Sequence, residues 1–217
     1  MTCPFYVFVH GWGFAADLWE AVRAALPAGD GMAVDLGFFG PTVMPSLPSG
    51  RSIVAVGHSF GVLWLLHEKA FRWDGLVSIS GFPRFAEGAD YAPATPRRVL
   101  DRMITRFDTA PLTVLREFRG RCGCEAEAPD PDIDRLGEAL RALRDWDARP
   151  AMGAPLLALA GRRDPIVPPA MTEQAFASRP GVALDWNEDG RHLLPLTAPE
   201  WCAERIAAFA ARLGPLP

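Results

Sequence analysis

The sequence predicts an α/β protein with a mainly parallel sheet of about six strands, helices on both faces and a helical cap inserted after the fourth strand. Three observations carry this prediction. Short apolar, β-prone runs alternate with segments of helical periodicity, the order that builds a parallel sheet covered on both faces. Residues 82–150 interrupt the alternation with helical segments and no convincing strand. Gly57-His58-Ser59-Phe60-Gly61 stands between an apolar run ending at Val56 and a helix-like run beginning at Val62.

Phe5 to Val9 is continuously apolar, as expected of a strand buried on both faces. Asp17 to Leu26 carries Leu18, Trp19, Val22 and Leu26 at helical spacing and stops at Pro27. Met32 to Leu36 and Arg51 to Val56 read as the second and third strands, and Phe60 to Ala70 as the helix behind the serine. Leu76 to Ser80, Leu156 to Ala160 and Val182 to Trp186 complete the strands. The helices Pro169 to Ala177 and Pro199 to Leu213 follow the last pair, the second with Trp201, Ile206 and Phe209 on an apolar stripe. Within 82–150, three amphipathic patterns stand out: Leu100-Met103-Ile104-Phe107, Leu112-Leu115-Phe118 and Leu136-Leu140-Leu143. Pro41 to Gly50 is a Pro/Gly/Ser-rich connection too short for a full crossover helix. With no internal repeat and no linker, residues 1–217 read as one domain with an insertion at about 82–150.

Composition narrows the classes. A chain of 217 residues fits one domain with a substantial core, and 49% apolar and 22% charged residues are ordinary for a globular protein. No apolar run approaches the roughly 18 residues of a membrane span, so no membrane association is expected. The start, Met1-Thr2-Cys3-Pro4, runs straight into a strand without a basic segment; no signal peptide is expected, and a cytoplasmic location follows as the default. Cys3, Cys122, Cys124 and Cys202 are expected as free thiols, because C-x-C without a second pair is poor zinc spacing. The net charge of −4 argues against nucleic-acid binding. Yet 84–121 holds eight arginines against five carboxylates, and Glu125 to Asp134 follows with five acids and no base.

Gly57 to Gly61 is a G-x-S-x-G pattern in a strand–turn–helix context, which holds a serine in a strained conformation with its hydroxyl exposed. A serine hydroxyl needs a base to become a nucleophile. Of the four histidines, His10 reads as a structural loop residue, His58 adjoins the serine and should point away from it, and His67 lies on the following helix. His192, just beyond the sixth strand, can reach the same rim of the sheet as Ser59 and is the expected base. The imidazole needs a carboxylate, and Asp164 follows the fifth strand; Asp185 and Asp189 compete but read as solvated. Ser, Asp, His is the chain order expected of such a fold. The developing oxyanion needs donors, for which the backbone N–H of Phe60 and that of Trp12, in His10-Gly11-Trp12-Gly13, are the candidates. Nothing here calls for a metal or an organic cofactor.

On these residues the chain resembles α/β-hydrolase-fold serine hydrolases. More narrowly, it is similar to the pimeloyl-[acyl-carrier protein] methyl ester esterases of biotin synthesis. The resemblance rests on His10 to Gly13 with Trp19 downstream, Asp35 to Gly40, Gly57 to Gly61, Asp164 to Pro168, and His192 with Pro199 to Cys202. The chain departs from the family pattern in carrying Gly37 where proline is usual and in its short crossover before the third strand. The resemblance implies Ser59 as nucleophile, Asp164 as orienting acid, His192 as base, and Trp12 and Phe60 as oxyanion donors. It implies an acyl-carrier protein as partner, held by cap arginines; Arg97, Arg98, Arg102, Arg106, Arg116, Arg119 and Arg121 lie in the matching region. The alternative for these arginines is a solvated cap helix in an arginine-rich chain. A monomer is expected. Competing readings are a broader esterase or thioesterase for small or medium acyl esters, a menaquinone-pathway lyase, and a non-catalytic binding member of the fold.

Overall fold

Phe5–Val9 (β1) lies between Gly31–Val34 (β2) and Ile53–His58 (β3), and Gly75–Ile79 (β4), Leu156–Gly161 (β5) and Ala183–Asn187 (β6) extend the sheet beyond β3. The order is β2-β1-β3-β4-β5-β6, and every pairing is parallel. The computed structural model describes residues 3–27, 30–44, 46–153, 155–177, 179 and 182–213. Met1 and Thr2 of the expected starting segment lie outside them. β1, β3, β4 and β5 are buried almost throughout, as continuously apolar strands covered on both faces must be.

The connections are helical: Glu20–Ala25 (α1) after β1, Phe60–Glu68 (α2) after β3, and Pro169–Ala177 (α6) after β5. Between β4 and β5 run Arg97–Phe107 (α3), Pro111–Cys122 (α4) and Ile133–Asp145 (α5), matching the three amphipathic patterns of 82–150. Leu194–Thr197 (α7) and Pro199–Arg212 (α8) follow β6. α8 packs against α1 and lies close on β4, where a Cβ on Gly75 would stand 2.8 Å from Phe209. Among the described residues no helix is long and apolar enough to cross a membrane.

The structure moves several expected boundaries, each for a visible reason. Expected at 32–36, β2 ends at Val34 because Asp35 leaves the sheet for an isolated bridge with Val43, and its carboxylate accepts from the N–H groups of Ala16 and Gly37. β3, expected to end at Val56, runs on to His58, with Gly57 and His58 still paired to Ser78 and Ile79. The helix expected at 17–26 divides into a 3₁₀ turn, Ala16–Trp19, and α1. Among its described residues the 41–50 connection carries no helix, as its composition indicated.

The strand order also locates the site. β1 connects outward to β2 on one side, while β3 lies on its other side, so the chain reverses direction between β1 and β3. In a parallel sheet that reversal opens a crevice beyond the carboxyl ends of the two strands. The loops leaving those ends are His10–Gly13 and the turn at Ser59.

Candidate active site

Ser59 sits between β3 and α2 with φ 52° and ψ −120°, a conformation that L-residues other than glycine rarely adopt. The turn persists because its surroundings leave no alternative: the Ser59 N–H donates to Ile79 O at 3.0 Å, and Val62 N–H closes back on Ser59 O at 3.1 Å. The flanking glycines are required by space. A Cβ on Gly57 would lie 2.8 Å from the Val62 nitrogen, and one on Gly61 would collide with the carbonyls of Val9 and His10. Gly61 thus lets α2 begin against the end of β1, which sets the Phe60 N–H beside the His10–Gly13 loop.

His192 follows β6 and is fully buried. Its loop is held against the end of β5: the N–H groups of Arg162 and Arg163 donate to Asn187 O and Gly190 O, and Gly161 and Gly190 approach too closely for a side chain on either. The ring spans two partners, with Nδ1 2.8 Å from Asp164 Oδ2 and Nε2 3.1 Å from Ser59 Oγ. Asp164 Oδ1 accepts from the N–H groups of Ile166 (2.7 Å) and Val167 (2.9 Å). Burial alone would raise this carboxyl's pKa, but the His192 ring and those two amides outweigh it and hold it below the usual carboxylate value. A carboxylate kept ionised there fixes the Nδ1–H tautomer and leaves the Nε2 lone pair facing the hydroxyl. Ser59 is 5% exposed.

The competing side chains fall elsewhere. Asp185 stands 3.6 Å from Arg205, and Asp189, on the surface, pairs with Arg163 at 2.9 Å. His10 is buried beneath the loop, accepting from Leu36 N–H at Nε2 and placing Nδ1 3.0 Å from Gly11 O. His67 stacks flat on Trp146 with centroids 3.6 Å apart. His58 bonds to the backbone of His192 rather than to the serine: Nε2 lies 3.0 Å from His192 O, and the two rings are 4.9 Å apart. Burial and, next, the nearby His192 push the His58 pKa down to about 3.

Neither the Trp12 nor the Phe60 backbone N–H, the two expected oxyanion donors, is engaged by another group among the described residues. The Trp12 indole is buried, with Nε1 donating to Leu136 O at 2.8 Å and the ring edge-on to Phe118 at 4.9 Å. A cavity of about 280 Å³ adjoins Phe60, lined by Phe38, Trp64 and Trp146 with Arg135 at its edge. A larger one, about 550 Å³, lies between α4 and residues 124–131 and meets the loop through Leu115 and Arg119.

No family model matches the chain. A pimeloyl-[acyl-carrier protein] methyl ester esterase of Stenotrophomonas maltophilia is 30% identical over 182 residues, covering 73% of this chain and 69% of that protein. The chain belongs to that esterase family. A protein of the same name from Xanthomonas campestris is 27% identical over 97% of this chain and 96% of its own length. The biotin biosynthesis bifunctional protein BioHC of Cellvibrio japonicus is 28% identical over 80% of this chain, which spans 41% of that protein's length. Among solved structures, an esterase from Exiguobacterium antarcticum superposes with a TM-score of 0.78 over 97% of this chain and 92% of its own, at 17% identity. That likeness shows the α/β-hydrolase fold.

Within the esterase family frame, the seven cap arginines separate into different kinds. Arg97 pairs with Asp145 and Arg106 with Glu117. Arg121 reaches Pro165 O at 3.4 Å. Arg98, Arg102 and Arg116 are exposed and make no ion pair among the described residues. Arg119 departs from the expectation of a carrier-contacting surface: it is 9% exposed, and its guanidinium is occupied by backbone and ring contacts inside the fold. Its signal was present in the sequence, since Leu115, Arg119 and Cys122 lie on one buried stripe of α4 at i, i+4 and i+7.

Proposed function

We propose that this chain hydrolyses the methyl ester of a pimeloyl chain carried on an acyl-carrier protein, with Ser59, His192 and Asp164 as its catalytic triad and 82–150 as the cap of a single domain. The observation that carries the reading is the line of contacts from Asp164 Oδ2 through both nitrogens of His192 to Ser59 Oγ. Ser59 Oγ attacks the ester carbonyl while its proton passes to His192 Nε2. The carbonyl oxygen becomes an oxyanion, stabilised by the N–H groups of Trp12 and Phe60; the latter opens α2, whose N-terminal dipole adds to the effect. His192 returns the proton to the methoxy oxygen, methanol leaves, and an acyl-serine remains. Water then gives a proton to His192, its hydroxide oxygen attacks the acyl carbon, His192 passes that proton to the departing Ser59 Oγ, and the carboxylic acid leaves and loses its own proton to solvent. Asp164 stays ionised throughout and stabilises the imidazolium in both halves.

The substrate part of the proposal rests on the relatives' names and on the cap. Arg98 and Arg102 are one helical turn apart on α3 and exposed, a like-charged pair that costs an isolated helix a few tenths of a kcal/mol. An acidic partner offsets that cost. The aromatic cavity beside Phe60 suits an apolar acyl chain.

The test compares methyl ester hydrolysis on pimeloyl-carrier protein and on free dimethyl pimelate, using wild type and Ser59→Ala. A strong, Ser59-dependent preference for the carried ester is expected. Equal or better turnover of the free ester would reduce the reading to a general esterase.

A further inference from the structure

The His10–Gly13 loop must aim the Trp12 N–H, yet its two glycines restrain the backbone little by themselves. Gly11 and Gly13 flank Trp12, and Gly13 adopts φ +76°, where glycine has conformational freedom that other residues lack. An oxyanion donor is useful only if it is fixed before the charge develops. The His10 ring holds one end of the loop at Gly11 O, and two further side-chain contacts tie the Trp12–Gly13 end to the insertion between β4 and β5. On one side of the loop, the Trp12 indole donates to Leu136 O in α5 at 2.8 Å. On the other, Arg119 of α4 donates from Nη1 to Gly13 O at 2.7 Å.

Arg119 is an odd choice for a merely structural brace. It is nine-tenths buried and meets no carboxylate among the described residues. Its guanidinium is held by neutral groups: Gly13 O, Cys124 Sγ at 3.2 Å, Ala126 O at 3.3 Å and the ring faces of Phe14 and Phe39 at 5.1 and 5.9 Å. Nε is buried with no hydrogen-bond partner among the described residues. Burying a cation without a counter-ion is expensive, and an apolar side chain would fill the same space at less cost. Its short charge-assisted bond falls on the loop that carries the oxyanion donor.

We propose that Arg119 is a positioning residue for ester cleavage: with the Trp12 indole, it fastens the His10–Gly13 loop to the cap and so pre-aims the Trp12 backbone N–H at the oxyanion. The cap thereby takes part in the chemistry as well as covering it. The inference rests on the esterase reading of Ser59 and on Trp12 as an oxyanion donor.

The test uses a small free ester, so that carrier binding plays no part, with Arg119→Ala, Arg119→Lys, Trp12→Phe and Ser59→Ala. A donor that acts in the transition state shows its loss in kcat rather than KM. Arg119→Ala should lower kcat about tenfold or more with KM within about twofold, and phosphonate labelling of Ser59 should slow in parallel. The acid limb of the pH–rate profile should stay in place, because the His192–Asp164 pair is untouched. Guanidinium added well below denaturing concentrations should restore part of the kcat of Arg119→Ala, which a general loss of packing would not allow. Trp12→Phe, which removes the indole donor together with part of the buried ring, should cost about threefold or more in kcat. Folded Arg119→Ala with wild-type kcat, or with a loss confined to KM, would overturn the proposal. If Arg119→Ala does not fold, Trp12→Phe decides: a kcat loss at constant KM supports the clamp, and wild-type kcat refutes it. Full activity in Ser59→Ala would instead remove the esterase reading itself.

Discussion

The carboxyl rim of the sheet and the helical insertion above it both concentrate charged side chains, and they use them in opposite ways. At the rim, buried polar groups meet one another: Asp164 and Ser59 on the His192 ring, and His58 Nε2 on the His192 carbonyl, with His58 Nδ1 left without a hydrogen-bond partner among the described residues. In the insertion, most charges lie on the surface, and carboxylates neutralise many of the arginines. Arg144 pairs with Asp101 and Asp145, Arg141 with Asp108, Arg97 with Asp145 and Arg106 with Glu117. Among the described residues, Arg98, Arg102 and Arg116 are exposed without an ion pair. A count of arginines therefore overstates the positive surface; the availability of each one is decided by its neighbours.

If the rim carries the chemistry, damage there should be catastrophic and damage in the insertion graded. Asp164→Asn keeps the shape but loses the charge that fixes the imidazole tautomer. It should lower kcat on a free ester by roughly 10³-fold or more, with near-normal unfolding in urea. A loss below tenfold would remove Asp164 from the triad. Among the surface arginines, Arg98→Glu with Arg102→Glu should lower kcat/KM on the carrier-bound ester about tenfold, most strongly at low salt, and leave the free ester within about twofold. Arg97→Ala or Arg106→Ala, which removes an arginine already paired on the surface, should change neither substrate's kcat/KM by more than about twofold. Equal losses from both pairs would erase the distinction between engaged and available arginines.

The smallest effect concerns acid stability. His58 has its pKa lowered from 6.5 to about 3 by burial and then by His192, so between those values the unfolded chain binds a proton that the folded chain does not. Stability should therefore fall as pH drops from about 6.5 toward about 3. Asp35 is lowered to about 2 although burial opposes it, because His10 and the N–H groups of Gly37 and Ala16 hold its charged form; its contribution is lost only from about pH 4 down to 2. His58→Gln should flatten the urea midpoint between pH 6.5 and 4 while leaving the steeper loss below pH 4. An unchanged slope would show that His58 is not the group responsible.

The rim was legible in the sequence because its geometry is local. Five residues around Ser59 specify a turn that only small flanking residues permit, and a parallel sheet delivers its β–α loops to one edge, so the loops after the fifth and sixth strands, with Asp164 and His192, could be expected near Ser59, where the structure places them. The strand ends were less legible. Where β2 stops depends on Asp35 accepting from Ala16 and Gly37, a tertiary contact with no sequence period. Arg119 was misread because the contacts that draw it inward, to Gly13, Phe14 and Phe39, lie more than seventy residues away, with only Cys124 and Ala126 nearby in sequence. Composition placed it with its exposed neighbours, and only its position on the α4 stripe separated it from them. The His58 contact to His192 O was equally hidden, since it joins residues from β3 and the loop after β6.

The central claim is that Ser59 is the nucleophile and that His192 and Asp164 make it one. Stoichiometric labelling with a serine-reactive phosphonate, read by intact mass and peptide mapping, tests it most directly across wild type, Ser59→Ala and His192→Ala. The account predicts one adduct on Ser59 in wild type, none in Ser59→Ala, and labelling slowed by at least about 10³-fold in His192→Ala. An adduct on another serine, or ester hydrolysis that survives Ser59→Ala, would contradict it.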